Sequence, residues 1–189
     1  MPADGDGRVG APPTRSSRSA RAAEIVDAAW QLLEAEGAEA LTMRCLAERL
    51  GMQAPSLYKH LPDKAALEAA LVEEALARMG TVLHHAVARP GRRSPISAVL
   101  AAYRRYGVAN PHLYRLATAG SLARADLPAG LEAWAGTPFF LATGDPYRAQ
   151  ALWSFAHGMV ILEIDARFLD GSDLDRTWRA GATAFAHSG

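Results

Sequence analysis

Residues 42–64 of this chain bring hydroxyl, amide, aromatic and ammonium side chains together in a short stretch, TMRCLAERLGMQAPSLYKHLPDK. Hydroxyl and ammonium groups are suited to contact the phosphate oxygens of DNA, where they position a protein without reading sequence. The residues of the stretch predicted to make such contacts are Thr42, Tyr58, Lys59 and Lys64. The chemistry that these residues predict is attachment to a nucleic-acid backbone.

Other residues of the same stretch could reach base edges. Gln53 can pair with adenine through two hydrogen bonds, and Ala54 or Pro55 can contact a thymine methyl group. Ser56, beside them, completes the base-reading set. The remaining candidates are Arg44, suited to phosphate or base, and His60. Each residue could instead be ordinary protein surface.

Two short helices around a tight turn would position these side chains. Thr42 can cap the first helix, Gly51 breaks the chain, and a second helix is predicted from Gln53 to His60. Leu57 and Leu61 lie four residues apart and can anchor one face of this segment to a core. A helix pair of this kind places its second helix in the major groove, although some such pairs are only structural corners.

The stretch resembles the DNA-binding domain of the TetR family of transcriptional regulators over roughly residues 20–71. The matching residues are Thr42, Ala47, Gly51, the run Leu57-Tyr58-Lys59-His60, Lys64 and Leu67. The resemblance implies a homodimeric repressor that binds a palindromic double-stranded DNA operator. It also implies a small-molecule effector that binds among the C-terminal helices, moves the fourth helix and releases the DNA.

The composition indicates a globular all-α protein. Half of the residues are hydrophobic, charged residues make up 21%, and strand-favouring runs are scarce. The formal net charge is zero, but the charges are unevenly placed. Residues 42–64 carry four basic and two acidic side chains, whereas residues 145–175 carry two basic and six acidic side chains. With one cysteine, no signal peptide and no run long enough to span a membrane, a cytoplasmic protein without membrane contact is expected.

The chain divides into a disordered tail (1–18), a three-helix DNA-binding domain (19–65) and a C-terminal ligand-binding and dimerisation domain (66–189). The tail is rich in Gly, Pro, Ser and Arg, and its arginines could form an arm that touches DNA. The helices are expected at these positions: 19–36, 42–50, 53–60, 62–88, 97–109, 111–119, 131–140, 146–170 and 174–187. The helix at 62–88 would join the two domains.

The predicted helix at 146–170 is apolar on more than one side, so it must be covered twice. A second copy of the chain is one cover, and complete burial within the domain is the alternative. By resemblance, the last two helices form the dimer interface. Trp153, His157 and Gly158, together with the upstream run at 110–114, also resemble the C-terminal subclass named for a Trp-His-Gly pattern.

A hydrophobic effector would need an apolar pocket with few polar groups. The candidate pocket residues are Tyr103, Tyr106, Leu116, Trp134, Phe139, Trp153, His157 and Met159. Aromatic residues at helical spacing are more often core, and His157 could equally be a satisfied core or interface histidine.

No catalytic motif is present, and no His or Cys spacing suits a metal, so neither an enzyme nor a cofactor is expected. The alternative function is a helical small-molecule carrier or interaction protein without specific DNA binding.

Overall fold

The computed structural model describes residues 11–119 and 126–186, and within these ranges it contains nine α-helices and no strand. The helices are α1 Ala20–Glu36, α2 Met43–Arg49, α3 Ala54–Tyr58, α4 Lys64–Ala88, α5 Pro95–Ala109, α6 Pro111–Thr118, α7 Leu131–Thr143, α8 Pro146–Ile164 and α9 Leu174–Ala186. The predicted all-α fold is therefore confirmed.

Side-chain caps account for several helix starts, although α5 begins at Pro95 rather than at the predicted residue 97. The Ser19 and Thr42 hydroxyls accept from backbone N–H groups three residues on, as expected for N-caps. The long helix was predicted to begin at Pro62, which is wrong by two residues. Asp63 caps it instead, because its Oδ1 accepts from the Ala66 N–H at 2.8 Å, and the helix begins at Lys64.

The structure also corrects two helix ends. The predicted helix at 146–170 stops at Ile164, because Ala166 adopts a left-handed φ of 50°. The N–H groups of Ala166 and Arg167 then bond back to the carbonyls of Glu163 and Leu162, which closes the helix end. The last helix was predicted to reach His187, which lies outside the described residues.

The helix α7 contains Pro138 and continues to Thr143, beyond the predicted end at residue 140. Proline has no N–H to donate, so the carbonyl of Trp134, four residues earlier, is left without its helical partner. The buried His84 supplies the replacement, since its Nε2 donates to that carbonyl at 2.9 Å. The two rings also stack, with their centroids 4.7 Å apart.

The described residues form two compact units. One contains residues 13–78, 110–119 and 126–131, and the other contains residues 79–109 and 132–186. The helix α4 contributes its first part to the former and its last part to the latter. These are called the N-terminal unit and the C-terminal unit below.

The N-terminal unit is built around one leucine-rich core. Its fully buried members come from α1, α2, α3, α4 and α6, and include Leu33, Leu46, Leu57, Leu71 and Leu113. Burying one such side chain contributes roughly 1.5–3 kcal/mol. Since a single residue of the five-residue helix α3 is buried, Leu57 holds that helix in place.

Candidate nucleic-acid interface

The turn between α2 and α3 is fixed by backbone geometry. Thr42 Oγ1 accepts from the Cys45 N–H at 3.1 Å at the start of α2. Gly51 has a φ of 61°, which favours glycine, and the Met52 N–H then donates to the Ala47 carbonyl at 2.9 Å. The chain leaves this turn in an extended conformation at Gln53 and enters α3.

The helix α3 presents most of its predicted DNA-contacting residues to solvent. Gln53, Ala54, Pro55 and Lys59 are exposed, whereas Ser56 and His60 are half-buried. Tyr58 is 47% exposed although its neighbour Leu57 is fully buried. A large aromatic side chain left in water beside a lysine is suited to contact a partner surface. The predicted second helix was too long, because α3 ends at Tyr58.

The remaining predicted contacts flank α3 and already have intramolecular partners. The Thr42 hydroxyl accepts a bond as the cap of α2, but its own hydrogen is free to donate to a phosphate. Arg44 bonds to Glu48 through Nε at 2.9 Å, and this hydrogen bond raises the pKa of the guanidinium. Lys64 lies 3.5 Å from the carboxylate of Glu68. Both cations are exposed, so DNA phosphates could replace these carboxylates at little cost.

Two arginines of the predicted DNA-touching arm are engaged elsewhere. Arg15 and Arg18 both pair with Glu73, whose side chain is only 1% exposed, and the Ser16 N–H donates to the same carboxylate at 2.9 Å. Arg15 also pairs with Glu74. An arm on DNA would require these pairs to open. A third arginine of the arm, Arg8, lies outside the described residues.

A buried contact between α1 and α6 was missed in the sequence. Glu34 accepts from the backbone N–H groups of His112 and Leu113, at 3.4 and 2.7 Å, and so satisfies the free start of α6. This bond ties α6 to the first helix of the N-terminal unit. A glutamate at the end of one helix gives no signal in sequence that it caps another helix far along the chain.

The predicted pocket residues are divided between the two units. Leu116 packs against the core of the N-terminal unit, whereas the other seven belong to the C-terminal unit. Tyr103, Phe139 and Met159 are buried core residues, and the first two meet edge to face at 5.4 Å. Tyr106 is half-buried. None of the eight lines either of the two clefts found in the C-terminal unit.

Trp134, Trp153 and His157 make further contacts within the C-terminal unit. Trp134 lies across Gly80, where a Cβ atom would come within 2.3 Å of the indole. Trp153 is 47% exposed and stacks on His157, with ring centroids 5.9 Å apart. Partial burial lowers the pKa of His157, because the charged ring is poorly solvated there.

A charged network in the C-terminal unit was also missed. Arg104 on α5 bonds to both carboxylate oxygens of Glu163 on α8 and to Asp175 on α9. The indole of Trp178 donates to Glu163 at 3.0 Å. This network joins the three helices. Its members lie 59 and 71 residues apart in sequence, so no local pattern predicts it.

Within the described ranges, no group of three potential metal ligands comes together. No helix in the same ranges has the length and apolar character needed to cross a membrane.

Comparisons with known proteins agree along most of the chain. Residues 25–71 match the family described as bacterial regulatory proteins, tetR family, and residues 96–185 match the tetracyclin repressor-like C-terminal domain. That description does not name the Trp-His-Gly subclass, which stays a prediction.

Two relatives illustrate the extent of the similarity. An uncharacterized HTH-type transcriptional regulator of Mycobacterium tuberculosis is 30% identical over 161 residues, covering 80% of this chain and 73% of the relative. The class D tetracycline repressor of Escherichia coli is 44% identical over 66 residues, or 35% of this chain. This chain matches only 28% of the length of that repressor.

Solved structures share the fold. A TetR variant from Acinetobacter baumannii AYE, crystallised with minocycline, superposes with a TM-score of 0.60 at 25% identity, covering 86% of this chain and 92% of that one. A TetR regulator from Streptomyces coelicolor gives a TM-score of 0.62 at 24% identity, covering 90% and 96%. The chain therefore belongs to the TetR family of bacterial regulatory proteins.

Proposed function

We propose that this chain is a transcriptional repressor that binds a palindromic operator as a homodimer and releases it when a small molecule binds. The observation that carries the proposal is the geometry of α3. This helix is anchored by the buried Leu57 and presents Gln53, Pro55, Tyr58 and Lys59 to solvent. Because regulators of this family bind DNA, we take double-stranded DNA to be the partner of this exposed face.

The two ends of this face would have different roles. Gln53, Ala54, Pro55 and Ser56 lie at the start of α3, the end that approaches base edges when a recognition helix enters the major groove. Tyr58 and Lys59 lie at its other end, where a hydroxyl and an ammonium group are suited to hold phosphates. Thr42, Arg44, His60 and Lys64 would extend the backbone contacts on either side.

The helix α8 supports dimerisation. Leu152, Ala156 and Val160 are buried, whereas Tyr147, Trp153 and Leu162 are 79%, 47% and 42% exposed. Large apolar side chains exposed at several positions along α8 show that its own domain does not cover this helix completely, which favours a second protein surface as the further cover. A twofold dimer through α8 and α9 would place two α3 helices about 34 to 36 Å apart, one turn of duplex, and would require a palindromic site.

Release requires a second conformation. The Acinetobacter relative was crystallised with minocycline, which supports a small-molecule effector here without identifying it. The helix α4 runs unbroken from Lys64 to Ala88, so a shift imposed at its C-terminal end can be transmitted to its N-terminal end. A DNA-bound repressor of this kind would act in the cytoplasm and would need no cofactor.

DNase footprinting of the purified chain on the duplex upstream of its own gene tests the proposal, with a salt titration of affinity. A protected palindrome and a steep salt dependence are expected. If selection from random duplexes also yields no preferred sequence, the repressor proposal fails. The alternative, a helical carrier or interaction protein, would then be favoured.

A further inference from the structure

Two adjoining clefts in the C-terminal unit share their basic residues. The larger, of about 630 Å³, lies between α5, α8 and α9, and the smaller, of about 360 Å³, lies between the end of α4 and α5. Arg93 and Arg105 line both. The two clefts therefore form one continuous surface, called the arginine groove below.

The arginine groove is basic although the whole chain has no net charge. Its lining contains five arginines and two carboxylates. The smaller cleft contributes Arg89, Arg93, Arg105 and His85 and has no Asp or Glu in its lining. Like charges gathered around a concavity attract an anion more strongly than isolated surface charges do.

Both carboxylates of the groove bond to Arg104, whose single positive charge offsets one of their two negative charges. Glu163 bonds to Arg104 at 2.8 and 2.9 Å, and Asp175 bonds to the same guanidinium at 2.5 Å. The bond with Glu163 raises the pKa of Arg104, and the bond from Arg104 lowers the pKa of Asp175. By contrast, Arg93 and Arg105 are exposed and form no ion pair with any part of the chain that the structure describes.

The rest of the groove is apolar. Leu100, Val108 and Trp178 line the larger cleft, and Val108 is 41% exposed. Val82 and Pro90 line the smaller one. A ligand that satisfies both parts of this lining has an anionic group for the arginines and a hydrocarbon body for the apolar wall.

We infer that the arginine groove binds the carboxylate or phosphate group of a small amphipathic anion through Arg93 and Arg105. A guanidinium forms two parallel hydrogen bonds with either group, which gives geometry as well as charge. This inference rests on the proposed function, because the anion would be the effector. It replaces the purely hydrophobic effector that the aromatic residues suggested with one that carries a negative charge.

Isothermal titration of the full chain without DNA tests the inference, with octanoate, octyl phosphate and octanol as probes of equal chain length. Both anions are expected to bind at least about tenfold more tightly than octanol, because charge-assisted hydrogen bonds are lost with the alcohol. The tighter of the two anions identifies the preferred head group. Equal affinity for octanol, or no binding of either anion, would overturn the inference.

Variants locate the site. The double substitution Arg93→Gln and Arg105→Gln is expected to weaken both anions by about tenfold or more and to leave octanol unchanged. Arg167→Gln with Arg176→Gln is the charge-matched control, because both residues are exposed and neither lines a cleft. Equal weakening by the control would show that the attraction is non-specific and would overturn the site. The single variant Arg93→Gln, in an exposed turn, serves if the double variant does not fold.

Adding the bound anion to the operator complex separates the two proposals. Release of DNA from the parent chain, but not from the double variant, is expected. If the parent binds no operator but binds the anion through Arg93 and Arg105, the ligand site stands and the repressor proposal fails. If it binds operator but not the anions, the repressor proposal stands and the arginine groove is not the effector site.

Discussion

At the scale of single residues, the proposed phosphate contact of Lys59 and the proposed base contact of Gln53, at the two ends of α3, can be tested separately. Lys59→Ala is expected to weaken binding to all duplexes to a similar extent and to reduce the salt slope by about 1, because one phosphate contact is lost. Gln53→Ala is expected to leave the slope unchanged and to relax preference at one base pair, by about 1–3 kcal/mol. Fluorescence anisotropy on the operator and on point variants of it measures both effects.

The control for this pair is Arg92→Ala, which removes an exposed cation in the turn between α4 and α5. A change in salt slope for Arg92→Ala as large as that for Lys59→Ala would mean that the slope reports total charge. The assignment of Lys59 to a phosphate would then be wrong.

His157 gives the chain a pH-dependent stability. Burial lowers its pKa below the ordinary value of 6.5, so the unfolded chain takes up this proton at a higher pH than the folded chain does. Stability is therefore fully present above about pH 6.5 and declines as the pH falls through the folded pKa. The Tm of the His157→Gln variant should therefore decline less on acidification than the Tm of the parent chain.

The measurement for His157 is differential scanning calorimetry of parent and variant from about pH 8 to about pH 5. The exposed His85→Gln is the matched control and should follow the parent at every pH. A difference in Tm between the parent and His157→Gln that stays constant with pH would contradict the assignment.

At the scale of elements, the segment 15–18 is held on α4 by a buried charge. Arg18→Ala removes one partner of Glu73, while Ser16 and Arg15 remain, so a loss of about 1–3 kcal/mol in unfolding free energy is expected. Arg21→Ala breaks an exposed pair with Glu24 and should cost less than about 1 kcal/mol. Urea unfolding with unchanged m-values measures both.

A second variant tests whether the buried carboxylate of Glu73 causes this loss of stability. Adding Glu73→Leu to Arg18→Ala removes the buried carboxylate that has lost its Arg18 partner and should restore part of the lost stability. If Arg18→Ala leaves stability unchanged but weakens DNA binding, Arg18 acts on DNA as part of an arm, and its pairing with Glu73 is incidental.

Local signals predicted the helices, and long-range contacts account for what was missed. Thr42 and Gly51 mark the helix-turn-helix because capping and positive φ depend on neighbours within a few residues. The end of α7 was predicted too early, and the histidine that completes the helix around Pro138 lies 50 residues from Trp134, where no local pattern reveals it. The exposed face of α3 could be predicted, whereas the arginine groove could not, since α4, α5, α8 and α9 all contribute to it.

At the scale of the whole molecule, a chain with no net charge must attract DNA through the placement of its charges. In the proposed function, basic residues near α3 would have that role, and the acidic excess at 145–175 lies in the sequence of the predicted dimer helices. In the proposed dimer, a second copy would contribute to DNA affinity mainly through effective concentration, because binding one half-site would hold the second copy close to the other half-site. Dimerisation and DNA affinity should therefore be lost together.

Trp153→Glu tests this coupling. Trp153 is half exposed on α8, so a carboxylate there can remain solvated in a single chain but would be buried against a second copy. We expect sedimentation velocity to show a monomer with an unchanged helical circular dichroism spectrum. Operator affinity should fall by about a hundredfold or more, since each half-site is then bound alone.

The control is Arg92→Glu, a charge change in an exposed turn, which should leave the dimer intact. A Trp153→Glu protein that stays dimeric and binds operator normally would place the interface elsewhere. A monomer with full affinity would mean that one copy is sufficient for recognition, and the palindromic operator would then be the part of the proposal to abandon.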